Sequence, residues 1–337
     1  MKVSQLGEFG LVNLFAETIQ KSRDNQAESW QRLLLGIGDD TAAWNWDNSI
    51  QLATVDSLVQ DIHFPPGSGS WEDLGWKALA INLSDIAAMG GRPLYALVYL
   101  GLSPETDVDD VLALYRGMIK LAQQHGVAVV GGDTDSMPRV TVTVTVIGSA
   151  RRDMPLLTRS SVKLGDQIAV TGYLGSAAAG FKILQTKKKV SPKDASFLKE
   201  AFLRPSPRIA EGQILVEQGV RAAIDISDGL LSDLEHICKA SGVGAHVEAE
   251  KIPINTVLKD NFAIEEALEL ALSGGEDYEL LFTGTAEMID RIKKLASCPV
   301  TVIGEITTEY GVTVTGAGGR ILKINKKGWE HFISKDE

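Results

Sequence analysis

Cysteine is almost absent: Cys238 and Cys298 are the only 2 in 337 residues, and no CxxC spacing occurs. Two scattered thiols frame neither a disulfide-stapled domain nor a structural zinc site, and they fit a reducing cytoplasm. Positive charge is also short, with 33 Lys and Arg against 44 Asp and Glu and a formal net charge of −11. That sign, without a basic stripe among aromatics, argues against nucleic acid as a partner. No stretch reaches the roughly 18 apolar residues that cross a bilayer. Glu8 and Glu17 interrupt the apolar residues near the start, so a signal peptide is not expected. Also missing are a GxxxxGK[ST] loop, the HRD and DFG pair, and GxGxxG, which removes the commonest sequence signatures for holding a nucleotide.

What remains is an ordinary globular composition, 44% hydrophobic and 23% charged, in a chain longer than one core usually supports. β-rich runs at Ile50–Val55, Val127–Val130 and Ile168–Thr171 alternate with helical patterns at Leu74–Met89, Val108–His125 and Ser176–Leu184, which predicts an α/β or α+β fold. Val140–Ile147 alternates valine with Thr141, Thr143 and Thr145; it reads either as a strand lining a barrel or subunit interface, or as a plain solvent-facing strand. The polar stretch from Ser149 to Gly165 marks a boundary, giving expected domains at 1–148 and 149–337.

One local design recurs, in which an apolar element runs into small residues and then aspartate. It appears at GIGDDTA (Asp39, Asp40), ATVDSL (Asp56), INLSDIAAMGG (Asp85), VVGGDTDS (Asp133, Asp135) and AIDISDGL (Asp225, Asp228). A single strand-end aspartate is most often a cap or turn residue, and Asp107, Asp109 and Asp110 read that way. The set is different, because adjacent Asp39 and Asp40, and Asp225 with Asp228, crowd like charges that a cation would relieve. Oxygen ligands without neighbouring His or Cys point to a hard cation, and the missing EF-hand spacing leaves magnesium shared with phosphate oxygens. Gly172, Gly175 and Gly180 in VTGYLGSAAAG offer either a phosphate cradle at a helix N-terminus or close strand–helix packing.

The longer motifs are GEFGL (Gly7–Leu11), GIGDDTA, VDSLVQDIHF, KALAINLSDIAAMGGRP, GGDT, LTRSSVKLGD, LRPSPR, IDISDGLLSDL, SGGEDYEL and GWEHF (Gly328–Phe332). Together they resemble the thiamine-monophosphate kinase family, of the superfamily that includes aminoimidazole-ribonucleotide synthetase and selenophosphate synthetase. The resemblance runs over nearly the whole chain. It implies an N-terminal mixed sheet with helices that forms a barrel-like dimer interface, and a C-terminal α/β sandwich. It also implies ATP-dependent phosphorylation of thiamine monophosphate in a cytoplasmic homodimer, with several magnesium ions and neither nucleic acid nor membrane as partner. Metal ligands would be Asp39, Asp40, Thr54, Asp56, Asp85, Asp133, Asp225 and Asp228. ATP would meet Tyr115, Gly132, Asp133, Arg159 and Ser227, while thiamine monophosphate would meet His63, Glu276 and Trp329. No residue is expected to act as an acid or base. Alternatives are another ATP-dependent enzyme of the superfamily, or a non-catalytic magnesium–nucleotide binder.

Overall fold

The computed structural model describes residues 31–35, 38–186, 188–324 and 328–329. The GEFGL motif and the last residues of GWEHF therefore lie outside the described residues, as do the outermost parts of both expected domains. Two six-stranded sheets organise the chain. The first comprises β1 (Leu33–Leu35), β2 (Ala42–Trp46), β3 (Ser49–Val59), β4 (Arg92–Leu102), β5 (Ala128–Ser136) and β6 (Thr141–Arg151), in the order β1-β2-β3-β6-β4-β5. The second comprises β7 (Gln167–Thr171), β8 (Ala222–Asp225), β9 (Gly244–Glu248), β10 (Leu280–Gly284), β11 (Val300–Thr307) and β12 (Gly311–Thr315), in the order β12-β9-β11-β7-β10-β8. Most neighbours are antiparallel, with β4–β5 and β9–β12 parallel. Both sheets are open among the described residues, so the expected barrel-like interface is not formed within one chain.

One face of the first sheet is covered by α1 (Trp71–Ala88) and α2 (Val108–His125). The α1 helix starts three residues before the predicted Leu74. Ser70 and Asp73 form a capping box there, which satisfies the free amides of the first turn. The two helices meet at reciprocal glycines: a Cβ on Gly75 would lie 1.8 Å from the Leu114 carbonyl oxygen, and one on Gly117 would lie 1.9 Å from that of Glu72. Backbones can approach that closely only where side chains are missing.

Strand β3 shows why the sheet has two different sides. Ile50, Leu52 and Leu58 are buried beneath the helices, whereas Val55, of opposite parity, is 59% exposed. On that open side Ser57 and Thr143 hydrogen-bond across β3 and β6 at 2.7 Å. The Val/Thr alternation of β6 follows the same rule, with Val142, Val144 and Val146 fully buried.

The second sheet carries α3 (Ser176–Gln185), α4 (Pro192–Leu203), α5 (Ile209–Glu217), α6 (Leu230–Ser241), α7 (Thr256–Asn261), α8 (Ile264–Ser273) and α9 (Ala286–Leu295). The LRPSPR segment straps it to α1. Arg204 pairs with Asp73, Trp76 Nε1 donates to the Pro205 carbonyl at 2.9 Å, and Arg208 clasps Glu279 with bonds of 2.6 and 2.5 Å. These ties fix α1 against the start of β10, and the acidic motifs converge at that junction.

Candidate active site

Four separate stretches deliver the aspartates. The turn before β2 brings Asp39 and Asp40, β3 brings Thr54 and Asp56, the last turns of α1 bring Ser84 and Asp85, and β8 ends on Asp225. Asp40, Asp85 and Asp225 each offer a carboxylate oxygen within 4.8 Å of the other two. Thr54 Oγ1 donates to Asp85 Oδ2 and Ser84 Oγ donates to Asp225 Oδ2, both at 2.6 Å. Each hydroxyl occupies one oxygen of its carboxylate and thereby orients the other. Arg159 Nη2 lies 2.5 Å from Asp40 Oδ1, and its backbone N–H donates to Asp39 Oδ1 at 3.3 Å.

One guanidinium does not balance this much negative charge. Burial, then the Asp40 charge, pushes Asp225 up to about 7. The same two causes push Asp39 up to about 6. Burial, then Asp225 and Asp56, holds Asp85 well above the usual carboxylate range. Asp40 Oδ2 is buried and has no hydrogen-bond partner among the described residues. A buried, over-charged set of oxygen donors with an orphaned oxygen fits a hard divalent cation, and magnesium suits it better than a nitrogen- or sulfur-seeking metal.

A second acidic group adjoins the first. Asp228, Asp233 and His236 also place one ligand atom each within 4.8 Å of the others. Asp233 Oδ2 accepts from Gly229 N at 3.1 Å, and burial followed by the Asp228 charge raises its pKa well above the usual range. Sequence reasoning passed over Asp233 and His236. Their i,i+3 spacing on a helix opening just after Asp228 was the available signal.

The SGGEDYEL loop closes over the same junction. Glu276 N donates to the Ser227 carbonyl at 2.7 Å, and Glu276 adopts φ 65°. Tyr278 is buried among the carboxylates, and burial followed by Glu276, Asp56, Asp225 and Asp228 pushes its hydroxyl well up. Trp329 N donates to the Asp228 carbonyl at 2.9 Å, which places Trp329 against the turn that carries Asp228. His63 Nδ1 accepts from Val59 N–H at 3.0 Å, which leaves its proton on Nε2. The VTGYLGSAAAG cradle is filled from within: Asp277 accepts from the amides of Gly175 at 2.8 Å and Ala177 at 3.5 Å. Its glycines serve close packing, since a Cβ on Gly180 would meet the Leu198 carbonyl oxygen at 2.0 Å.

Three expected residues stand apart within one chain. Asp133 pairs with Tyr99, Tyr99 with Thr143 and Thr143 with Ser57, so it lies three strands from Asp56, roughly 14 Å away at about 4.8 Å per strand. Its register partners Tyr99, Thr143 and Ser57 belong to the open side of the sheet, opposite α1. Gly132 shares that edge strand. Tyr115 lies on α2 beside Leu114, at the Gly75 crossing, and Asp85 is ten residues further along α1, roughly 15 Å at 1.5 Å per residue.

Residues 38–150 match the family described as AIR synthase related protein, N-terminal domain, and residues 163–317 match its C-terminal domain. The chain is 39% identical to the thiamine-monophosphate kinase of Escherichia coli (strain K12), covering 97% of this chain and 99% of that one. It belongs to the thiamine-monophosphate kinase family. A solved structure described as AaThiL complexed with AMPPCP and TMP superposes with a TM-score of 0.84 at 32% identity, covering 98% and 99% of the two chains. The family member from Stenotrophomonas maltophilia K279a superposes at 0.76 with 37% identity over 92% and 97%. The aspartates above therefore sit in the frame of this kinase family, and both domains of the chain contribute to the cluster.

Proposed function

We propose that the chain transfers the γ-phosphoryl group of ATP directly to the phosphate of thiamine monophosphate, giving thiamine diphosphate and ADP. The observation that carries this reading is the buried Asp40–Asp85–Asp225 cluster at the domain junction. A relative of the same frame, solved with AMPPCP and TMP, supports the choice of co-substrates. Magnesium would be held by Asp39, Asp40, Asp56, Asp85, Asp225 and Asp228 with Thr54, and when bound it supplies the positive charge that lets two phosphates approach. Without such charge, two unit anions at ~4 Å repel by about 4 kcal/mol at an effective dielectric of 20.

The remaining work falls to orientation. Thr54 and Ser84 fix the carboxylates, and Arg159 holds Asp39 and Asp40 while offering its guanidinium to ATP phosphates. The acceptor is already a phosphate anion, so no general base is needed for in-line attack. Ser227 and Glu276, joined by a backbone hydrogen bond of 2.7 Å, link the nucleotide side to the acceptor side, where His63 and Trp329 complete the substrate contacts. An ATP requirement supports a cytoplasmic location.

The active unit is a homodimer in this reading. Asp133 lies on the far side of the sheet from its own cluster, with Gly132 beside it on the same edge strand, and Val55, Tyr95 and Leu97 are 59%, 49% and 40% exposed. Packing two such faces together buries these side chains and carries Asp133 to a partner's metal cluster. In this reading the two domains divide near Gly148, although β6 itself continues to Arg151.

Incubating the purified chain with ATP, magnesium and thiamine monophosphate should yield thiamine diphosphate and ADP in equal amounts. ADP and inorganic phosphate without thiamine diphosphate would overturn the reading in favour of another ATP-dependent reaction, and nucleotide binding without turnover would leave a binder.

A further inference from the structure

Lys77 lies in the second turn of α1 with only 3% of its side chain exposed. A lysine that deep requires a partner for its charge. Its Nζ is 2.5 Å from Glu276 Oε2 and 3.2 Å from the centre of the Phe202 ring. Beyond the ion pair, neither Nζ nor that carboxylate oxygen has a hydrogen-bond partner among the described residues. The Glu276 side chain is 25% exposed, so its second oxygen is the one a ligand can meet. Glu276 holds φ 65°, a conformation that costs a non-glycine residue of the order of 1 kcal/mol and persists where surroundings enforce it. The Lys77 pair and the Ser227 hydrogen bond supply that enforcement. Lys77 also helps line a cavity of about 160 Å³, walled by Phe64, Trp71, Leu74, Phe202 and Leu203.

Resting on the kinase reading, we propose that Lys77 is a positioning residue that commits one oxygen of Glu276 and turns the other into a reader of hydrogen-bond donors. An unpaired carboxylate would act as a counter-ion for the cationic thiazolium. With an ammonium 2.5 Å away, the pair presents a dipole whose field falls off faster than that of a charge, and the ammonium itself repels a second cation. The chemistry that fits is a neutral ring bearing an N–H donor, with apolar walls beside it: the aminopyrimidine of thiamine monophosphate. Along α1, Lys77 precedes Asp85 by eight residues, roughly 12 Å at 1.5 Å per residue, which leaves the thiazolium room between ring reader and phosphate.

The test compares thiamine monophosphate with its 4-oxo analogue, in which a carbonyl replaces the exocyclic amine and the thiazolium is kept. For the full-length enzyme, kcat/KM for the analogue should be about 10- to 100-fold lower, mostly through KM, the range for one buried hydrogen bond lost. Lys77→Met should raise KM for thiamine monophosphate and shrink the discrimination to within about 3-fold, while Lys77→Arg restores most of it. Equal use of the two acceptors by the wild type overturns the inference while leaving the kinase reading intact. Full discrimination in Lys77→Met overturns it as well. Should Lys77→Met not fold, the wild-type comparison and Lys77→Arg decide, and loss of discrimination in Lys77→Arg despite its retained charge counts against the inference. No thiamine diphosphate from the wild type under any condition overturns both.

Discussion

The aspartate cluster predicts that the metal-free protein pays for its site in stability, and Asp225→Asn measures how much. Raising this carboxyl from 3.8 to about 7 corresponds to about 4 kcal/mol, at roughly 1.4 kcal/mol per tenfold change in proton affinity. The sign follows from which state holds the proton more tightly. Folding favours the protonated form, so the stability is full below about pH 4, declines as the unfolded chain ionises, and is lost once the pH passes about 7. Asn at 225 cannot ionise and can still accept from Ser84, whose hydroxyl lies 2.6 Å from the native carboxylate. Chelator-treated Asp225→Asn should therefore resist urea better than the wild type at about pH 8, by up to about 4 kcal/mol, and match it near pH 4. Magnesium with ATP should reverse the order, stabilising the wild type by mass action and the variant far less. A variant less stable than the wild type in chelator at about pH 8 would refute the reasoning, because it would mean that Arg159 and Ser84 more than compensate the buried charge.

Further outcomes can be checked directly. Asp85→Asn and Asp133→Asn homodimers should each be nearly inactive, yet mixing and re-equilibrating them should recover about a quarter of wild-type activity, since half the dimers would then carry one intact site. Recovery near zero would place Asp133 in its own chain's site. Gly117→Val should lower the melting temperature sharply, because its Cβ would lie 1.9 Å from the Glu72 carbonyl oxygen and neither helix backbone can retreat; calorimetry reads this. Arg208→Met leaves Glu279 buried without its partner and should cost about 3–5 kcal/mol in unfolding free energy, whereas replacing both members should cost less.

Much of the site was legible because its chemistry is written in local motifs. Asp39, Asp85 and Asp228 follow small residues, Asp225 closes β8, Asp56 lies within β3 rather than at its end, and the crowding of Asp39 with Asp40 and of Asp225 with Asp228 pointed to a hard cation before any fold was known. Helix α2 ran over its predicted span because its apolar period and the terminal Gly126 agree. The β5 strand was underestimated, since Gly131, Gly132 and two aspartates lack strand propensity, yet pairing with β4 carries it to Ser136. The ties between segments distant in sequence were not legible. Lys77–Glu276, Arg208–Glu279 and Asp277 on the α3 amides join residues about 70 to 200 positions apart, and no periodicity encodes such partners. Asp133 belongs with these cases: its motif resembles the other acidic motifs, but only strand order reveals that it faces away.

The alternation along β3 has a practical corollary for engineering. Thr54 and Asp56 face the side of the acidic cluster and Val55 faces the opposite surface, so on the proposed function neighbouring codons answer to separate demands. Replacing Val55 should alter assembly and spare the ligand geometry on its own chain. Inserting one residue between Ile50 and Thr54 would swap the two inventories at a stroke, sending aspartate to the open face and valine to the acidic cluster. The strand tolerates exchange of letters on either side, but not a shift of frame.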